Sequence, residues 1–157
     1  MKKIRLIFLA AMLLALTACG NTDKSISKTN YDIQTVLTDA LFIDIIDGKE
    51  IPAEVIFGRG GEDGYNTFSS KDKAVINDLI EALRVVKIKK VITDPDEMIY
   101  VCDANNDITF IMEDGREVLL AFDLFSYVHE NNVEYELENT EALRKACQKI
   151  QSLSEQT

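Results

Sequence analysis

The chain has 157 residues, with 27 acidic and 17 basic side chains and a formal net charge of −10. This length is sufficient for one domain with its own hydrophobic core. The excess of acidic residues argues against a nucleic-acid partner, because phosphate binding requires clustered lysine and arginine. It also argues against electrostatic attachment to anionic lipid.

The N-terminal segment has the three parts of a secretory signal peptide. A basic start with Lys2, Lys3 and Arg5 is followed by the uncharged residues 6–16. Two small residues then precede Cys19. The apolar run is shorter than the ~20 residues that a transmembrane helix needs. A cleaved signal is therefore favoured, and a plain signal peptide in which Cys19 has no special role remains the alternative.

The residues Leu16-Thr17-Ala18-Cys19 resemble the lipobox of bacterial lipoproteins, whose cysteine is acylated and becomes the mature N-terminus. The resemblance implies a diacylglycerol thioether on Cys19 and a lipid anchor on the extracytoplasmic face of the cell membrane. Each buried methylene contributes about 0.8 kcal/mol, so two or more chains give stable anchoring. We expect residues 1–18 to be the signal peptide and the polar residues 19–30 to be a lipidated tether.

Cleavage would also change the charge of the chain. Residues 1–18 contain three basic residues and no acidic one, so 14 basic and 27 acidic residues remain, with a formal charge of −13. We expect one domain over residues 31–153, followed by a short tail of residues 154–157.

The first half of this domain contains both helical and strand patterns. Apolar spacing predicts a helix over residues 33–41, while residues 42–46 fit a helix or a strand. Strands are predicted at Glu54–Phe57 and Tyr65–Phe68, joined by a glycine-rich loop, Gly58–Gly64. The next helix is predicted to start at Ser69 with Asp72, and its apolar face comprises Val75, Ile76, Leu79, Ile80, Leu83 and Val86.

The second half changes to alternating apolar and polar residues. Strands are predicted at residues 98–102, 108–112, 118–122 and 133–137, and residues 124–128 continue or restart a strand. Turns are predicted at residues 103–107, 114–115 and 130–132. Asp114-Gly115 is the sharpest hairpin signal, since glycine accepts the positive φ of such turns. A last helix begins near Thr140.

Runs of strands with helices between them predict an α+β domain. We expect a single antiparallel sheet, a meander, with about three helices mostly on one face. Behind a lipobox, this arrangement resembles the small lipoproteins of unassigned function in Gram-positive bacteria. The resemblance implies no site residues.

The best metal candidate is the segment Asp103–Asp107. Oxygen ligands alternate at Asp103, Asn105 and Asp107, as in a calcium-binding loop. An EF-hand would require glycine where Ile108 stands and glutamate where Asp114 stands. A hairpin turn of aspartate and asparagine residues explains the segment more simply, and calcium binding remains the alternative.

No catalytic pattern is found. The loop Gly58–Gly64 lacks the glycine spacing of a phosphate-binding loop. His129 is the only histidine and is expected at an exposed strand end, without a zinc or nucleophile pattern around it. Cys102 and Cys147 remain for a disulfide, but two cysteines do not show a framework.

These observations favour a membrane-anchored, extracytoplasmic domain that is not an enzyme. It would bind an envelope protein or another ligand, with an open edge strand or the solvated sheet face as the contact surface. We expect no cofactor apart from the covalent lipid on Cys19, and divalent-cation binding at Asp103, Asn105 and Asp107 is the alternative function.

Overall fold

A computed structural model describes residues 31–61, 64–99 and 105–154. Its strands form one antiparallel sheet in the order β1-β4-β8-β7-β6-β5-β2-β3. The strands are β1 Tyr31–Asp32, β2 Glu54–Gly61, β3 Gly64–Ser70, β4 Lys87–Ile92, β5 Asn105–Ile111, β6 Glu117–Asp123, β7 Tyr127–Glu130 and β8 Val133–Glu138. The α-helices are α1 Ala40–Ile46, α2 Lys73–Arg84 and α3 Glu141–Ser154. Short 3-10 helices span Ile33–Thr35 and Pro95–Glu97.

The predicted α+β class, with one antiparallel sheet and three α-helices, is confirmed. Strands β5 to β8 are neighbours in chain order and form the expected meander. Within the described part of the chain, no helix is long and apolar enough to span a membrane.

The core lies between the helices and one face of the sheet. Alternate residues of β5 and β6 face the helices and are buried, among them Ile108, Phe110 and Leu120. Helix α2 contributes the predicted apolar face, of which Leu79 and Leu83 are fully buried. Its N-cap is Asp72, whose carboxylate accepts a hydrogen bond from the Ala74 amide at 2.8 Å, and not Ser69, which lies in β3.

The helix predicted over residues 33–41 is wrong in its position. Residues Ile33–Thr35 form one 3-10 turn, and the α-helix begins only at Ala40. Asp39 sets this start, because its carboxylate accepts a hydrogen bond from the Phe42 amide at 3.0 Å. The ambiguous residues 42–46 are therefore helical, and they bury Phe42, Ile45 and Ile46 on one face.

Two further predictions need correction. Residues Gly58–Gly61 belong to β2 and pair with β3, so the predicted glycine loop is mostly strand. Met98 and Ile99 lie in no strand, and residues 100–104 are outside the described ranges. Since β8, β7 and β6 lie between β4 and β5, the chain from β4 crosses the sheet to reach β5. The described part of this connection reaches back to β8, where the Ile99 amide donates a hydrogen bond to Glu134.

Candidate functional site

The sheet opens between β6 and β7. Strand β6 pairs with β5 along its whole length, but only one residue pair, Asp123 with Tyr127, joins it to β7. Strand β7 instead pairs along its length with β8. Within the described ranges, the outer edge of Glu117–Phe122 therefore has no neighbouring strand.

A tight turn joins the two strands. Ser126 N–H donates to the Asp123 carbonyl at 2.8 Å, and both central residues have positive φ, 52° at Leu124 and 57° at Phe125. Side chains other than glycine and asparagine rarely adopt this region, so the turn is strained. Burial of Phe125 in the core, where it packs against Phe122, offsets the strain.

The opening forms a groove of about 380 Å³. Its apolar walls come from both strands and from the segment that leads into α1. The buried members of the lining are Leu37, Phe42, Val118, Leu120 and Val128. This lining would accommodate the apolar side chains of a segment lying along the groove.

Backbone hydrogen-bonding groups line the same groove. The Met112 amide donates to the Arg116 carbonyl at 2.8 Å. This bond shows which residues of β6 are hydrogen-bonded to β5, because hydrogen-bonded and non-hydrogen-bonded pairs alternate along an antiparallel ladder. By alternation, Leu119 and Ala121 direct their N–H and C=O groups away from β5 and into the opening. On the other side of the opening, the Leu137 amide donates to the Ser126 carbonyl at 2.7 Å, so Ser126 is hydrogen-bonded to β8. By the same alternation, the backbone N–H and C=O of His129 point away from β8 and form the opposite wall of the groove.

Acidic side chains border the groove. Asp39 and Glu130 line it, and the Thr38 hydroxyl donates to a Glu130 carboxylate oxygen at 3.2 Å. This bond joins the segment before α1 to the end of β7. The groove thus combines an apolar floor, unpaired strand backbone and two negative charges.

A cluster of one histidine and two carboxylates lies at the wall of the groove. His129 Nε2 is 2.8 Å from Asp123 Oδ2 and 3.4 Å from Glu134 Oε2. Glu134 is completely buried, its Oε2 accepts the Ile99 amide at 2.9 Å, and its Oε1 has no hydrogen-bond partner. His129 is exposed at the end of β7, where a strand end was expected.

Covalent catalysis by His129 would require a nucleophilic side chain beside it. Among the described residues that line the groove there is neither a serine nor a cysteine. The hydroxyl of Thr38 is directed to Glu130. A nucleophile held by the histidine, as acyl transfer requires, is therefore not provided by these residues.

The structure describes only two of the three predicted metal ligands, Asn105 and Asp107. Cys19 and Asp103 lie outside the described residues, while Asn105 and Asp107 lie two positions apart on β5, in a strand where a turn was expected. Asp107 accepts a hydrogen bond from the Tyr65 hydroxyl. Within the described ranges, no group of three or more histidine, cysteine or acidic side chains is placed to hold a metal ion. Calcium binding stays a prediction. The Tyr65 hydroxyl would compete with the cation for Asp107, one of the three predicted ligands.

The groove was not found from the sequence. The alternation of Val118, Leu120 and Phe122 predicted the strand, but nothing in it indicates that one strand edge stays open. The only local signal is the pair Leu124-Phe125, two large residues in a turn of positive φ.

Comparison of the chain with profiles of protein families, with curated proteins and with solved structures gave no match.

Proposed function

We propose that this protein is a membrane-anchored extracytoplasmic interaction domain, not an enzyme, that binds an extended segment of another envelope protein along the open edge of β6. The observation that carries the proposal is the single residue pair between β6 and β7. An edge with outward N–H and C=O groups is a template for an added strand.

The groove supplies both affinity and selectivity for such a segment. Each backbone hydrogen bond with Leu119, Ala121 or the opposite wall contributes about 0.5–1.5 kcal/mol. Alternate side chains of the bound strand would face the apolar lining around Leu120 and Val128. A segment with alternating apolar residues therefore fits best.

The charge of the groove favours a basic partner. Asp39 and Glu130 border it, and the whole chain carries a net charge of −10. Lysine or arginine beside the apolar positions of the bound segment would pair with these carboxylates, and the overall field would accelerate its association.

The anchor completes the proposal. A lipid on Cys19 would hold the domain at the extracytoplasmic face of the membrane, and the polar residues 20–30 would act as the tether. Confinement to that surface raises the effective concentration of the domain for partners in the same membrane.

Selection from a random peptide library displayed on phage tests the proposal. The bait is the full chain in detergent micelles, with bare micelles as the background. Enriched peptides should alternate apolar and basic residues. Ala121→Pro should weaken their binding by about tenfold or more, because it removes an N–H that points into the groove and takes no part in the β5–β6 ladder.

Two control variants separate the groove from general effects. Ala121→Ser keeps the N–H and should bind the peptides as the unchanged chain does. Asp39→Asn with Glu130→Gln removes both charges while asparagine preserves the helix cap, and it should abolish the preference for basic peptides. The proposal fails if no peptide is enriched over micelles, or if Ala121→Pro binds the enriched peptides as tightly as Ala121→Ser.

A further inference from the structure

A second pocket lies at one end of the helix-covered face, where α3 meets the ends of β2 and β5. It has a volume of about 170 Å³ and shares no lining residue with the groove. Its floor includes the buried side chains of Phe57, Phe125 and Cys147, and Arg59 and Arg144 stand at its rim.

The charges of this pocket differ from those of the rest of the molecule. Nine of the twelve described lysines and arginines form an ion pair with a carboxylate. Among the described residues the exceptions are Arg59, Arg144 and Lys73, and two of these three line the same pocket. No aspartate or glutamate is among the described lining residues. Within the described ranges, these two arginines therefore share a pocket to which no carboxylate contributes.

Neutral neighbours hold both guanidinium groups in place. Arg144 lies over the ring of Phe125, with its Cζ 5.6 Å from the ring centroid. Arg59 Nη1 donates to Gln151 Oε1 at 3.4 Å. A guanidinium that stacks on a ring keeps its N–H edge available for an acceptor in its plane, and two guanidinium groups at one pocket suit an oxyanion. Stacking also reduces the entropy lost on binding.

We infer that this pocket binds a small organic acid. The carboxylate would lie between Arg59 and Arg144, and the apolar part of the acid would rest on Phe57 and Phe125. The apolar floor favours an organic acid over inorganic phosphate, which has no surface to place there. A second opening of about 350 Å³ shares Arg59, Gly60 and Gln151 with the pocket, so there is room for an acid larger than the pocket itself.

Calorimetry on the full chain in detergent micelles tests the inference, with monocarboxylates from acetate to phenylacetate, their neutral amides and inorganic phosphate as probes. Affinity should rise with the apolar size of the acid, and the matched amides should not bind. Arg59→Gln and Arg144→Gln should each weaken phenylacetate binding by about tenfold or more.

Lys73→Gln is the matched control, because it removes a third cation that has no ion pair but lies on α2, outside the pocket lining. It should leave phenylacetate binding unchanged, and Ala121→Pro in the groove should do the same. The inference is overturned if no acid binds at millimolar concentration, if the amides bind as well as the acids, if phosphate is preferred to phenylacetate, or if Lys73→Gln weakens binding as much as the arginine variants.

Discussion

The hydroxyl of Tyr65 on β3 donates a hydrogen bond to the carboxylate of Asp107 on β5, across the strand β2 that lies between them. The contact passes over Gly58. A Cβ atom on this glycine would overlap the Tyr65 hydroxyl and lie 2.6 Å from both carboxylate oxygens of Asp107. The hydrogen bond between Tyr65 and Asp107 can therefore form only because residue 58 is glycine.

Gly58→Ala should lower the free energy of unfolding by about 1–3 kcal/mol, because the methyl group displaces Tyr65 and overfills this site. Urea denaturation monitored by circular dichroism measures the loss. Gly61→Ala, in the same strand, is the matched control and should change stability by less than about 0.5 kcal/mol, since nothing lies within 4 Å of its added Cβ. Equal effects of the two substitutions would show that the Tyr65–Asp107 contact has no part in the loss.

The pKa of the Tyr65 hydroxyl is raised from 10.0 to about 12. Desolvation of the hydroxyl is the largest cause, followed by its hydrogen bond to Asp107. Because the folded pKa is above the ordinary one, the contribution of Tyr65 to stability is complete below pH 10.0 and is lost as the pH rises through about 12.

Titration of tyrosinate absorbance, compared with that of Tyr65→Phe, measures this pKa. Asp107→Asn should lower the pKa of Tyr65 but leave it above 10.0, since the desolvation remains. A Tyr65 that titrates at the ordinary value in the unchanged chain would contradict the contact.

His129 is expected to stabilise the carboxylates of Asp123 and Glu134. Its Nε2 lies 2.8 Å from Asp123 and 3.4 Å from Glu134, which is fully buried. His129→Ala should reduce the free energy of unfolding by about 1–3 kcal/mol, because Asp123 loses its hydrogen-bond partner and the buried Glu134 loses a neighbouring imidazole.

A double-mutant cycle with Glu134→Gln isolates this interaction. In the Glu134→Gln background the effect of His129→Ala should be smaller, since the buried charge is already gone. Purely additive effects in urea denaturation would assign the role of His129 to groups other than Glu134.

Short-range sequence patterns predicted the elements that depend on residues close together in the chain. The helical spacing of apolar residues predicts α2. The glycine in Asp114-Gly115 predicts the turn there, and Gly115 has a φ of 84°. Strand β4 was not predicted, because its register shifts between Ile88 and Lys90 and breaks the period of two.

Both proposed sites depend on relations that no local pattern contains. The groove exists because β7 pairs along its length with β8 but through only one residue pair with β6, and the alternation that predicts these strands does not say how far each pair extends. The pocket exists because Arg59 on β2 and Arg144 on α3 meet at one end of the sheet, far apart in sequence. Neither arginine is distinguished in the sequence from those that form ion pairs.

Cys147 should be unreactive in the folded protein. Its thiol is free and fully buried, and desolvation raises its pKa from 9.0 to about 12, so that almost no thiolate forms near neutral pH. A Cys19→Ala, Cys102→Ser variant leaves it as the only thiol. Ellman's reagent should react with this variant at a rate that increases steeply only where urea unfolds it; fast reaction in native buffer would contradict the burial.

Cys19 should carry the lipid that places the domain at the membrane. Expressed in a bacterial host with labelled palmitate, the full chain should take up the label and fractionate with membranes, because two acyl chains at about 0.8 kcal/mol per methylene hold it there. Cys19→Ala should lose both the label and the membrane association. Cys102→Ser is the control and should keep both, since Cys102 lies outside the lipobox-like residues 16–19. Label that persists in Cys19→Ala, or an unlabelled protein released from the membrane with residues 1–18 removed, would show that the segment is a plain signal peptide.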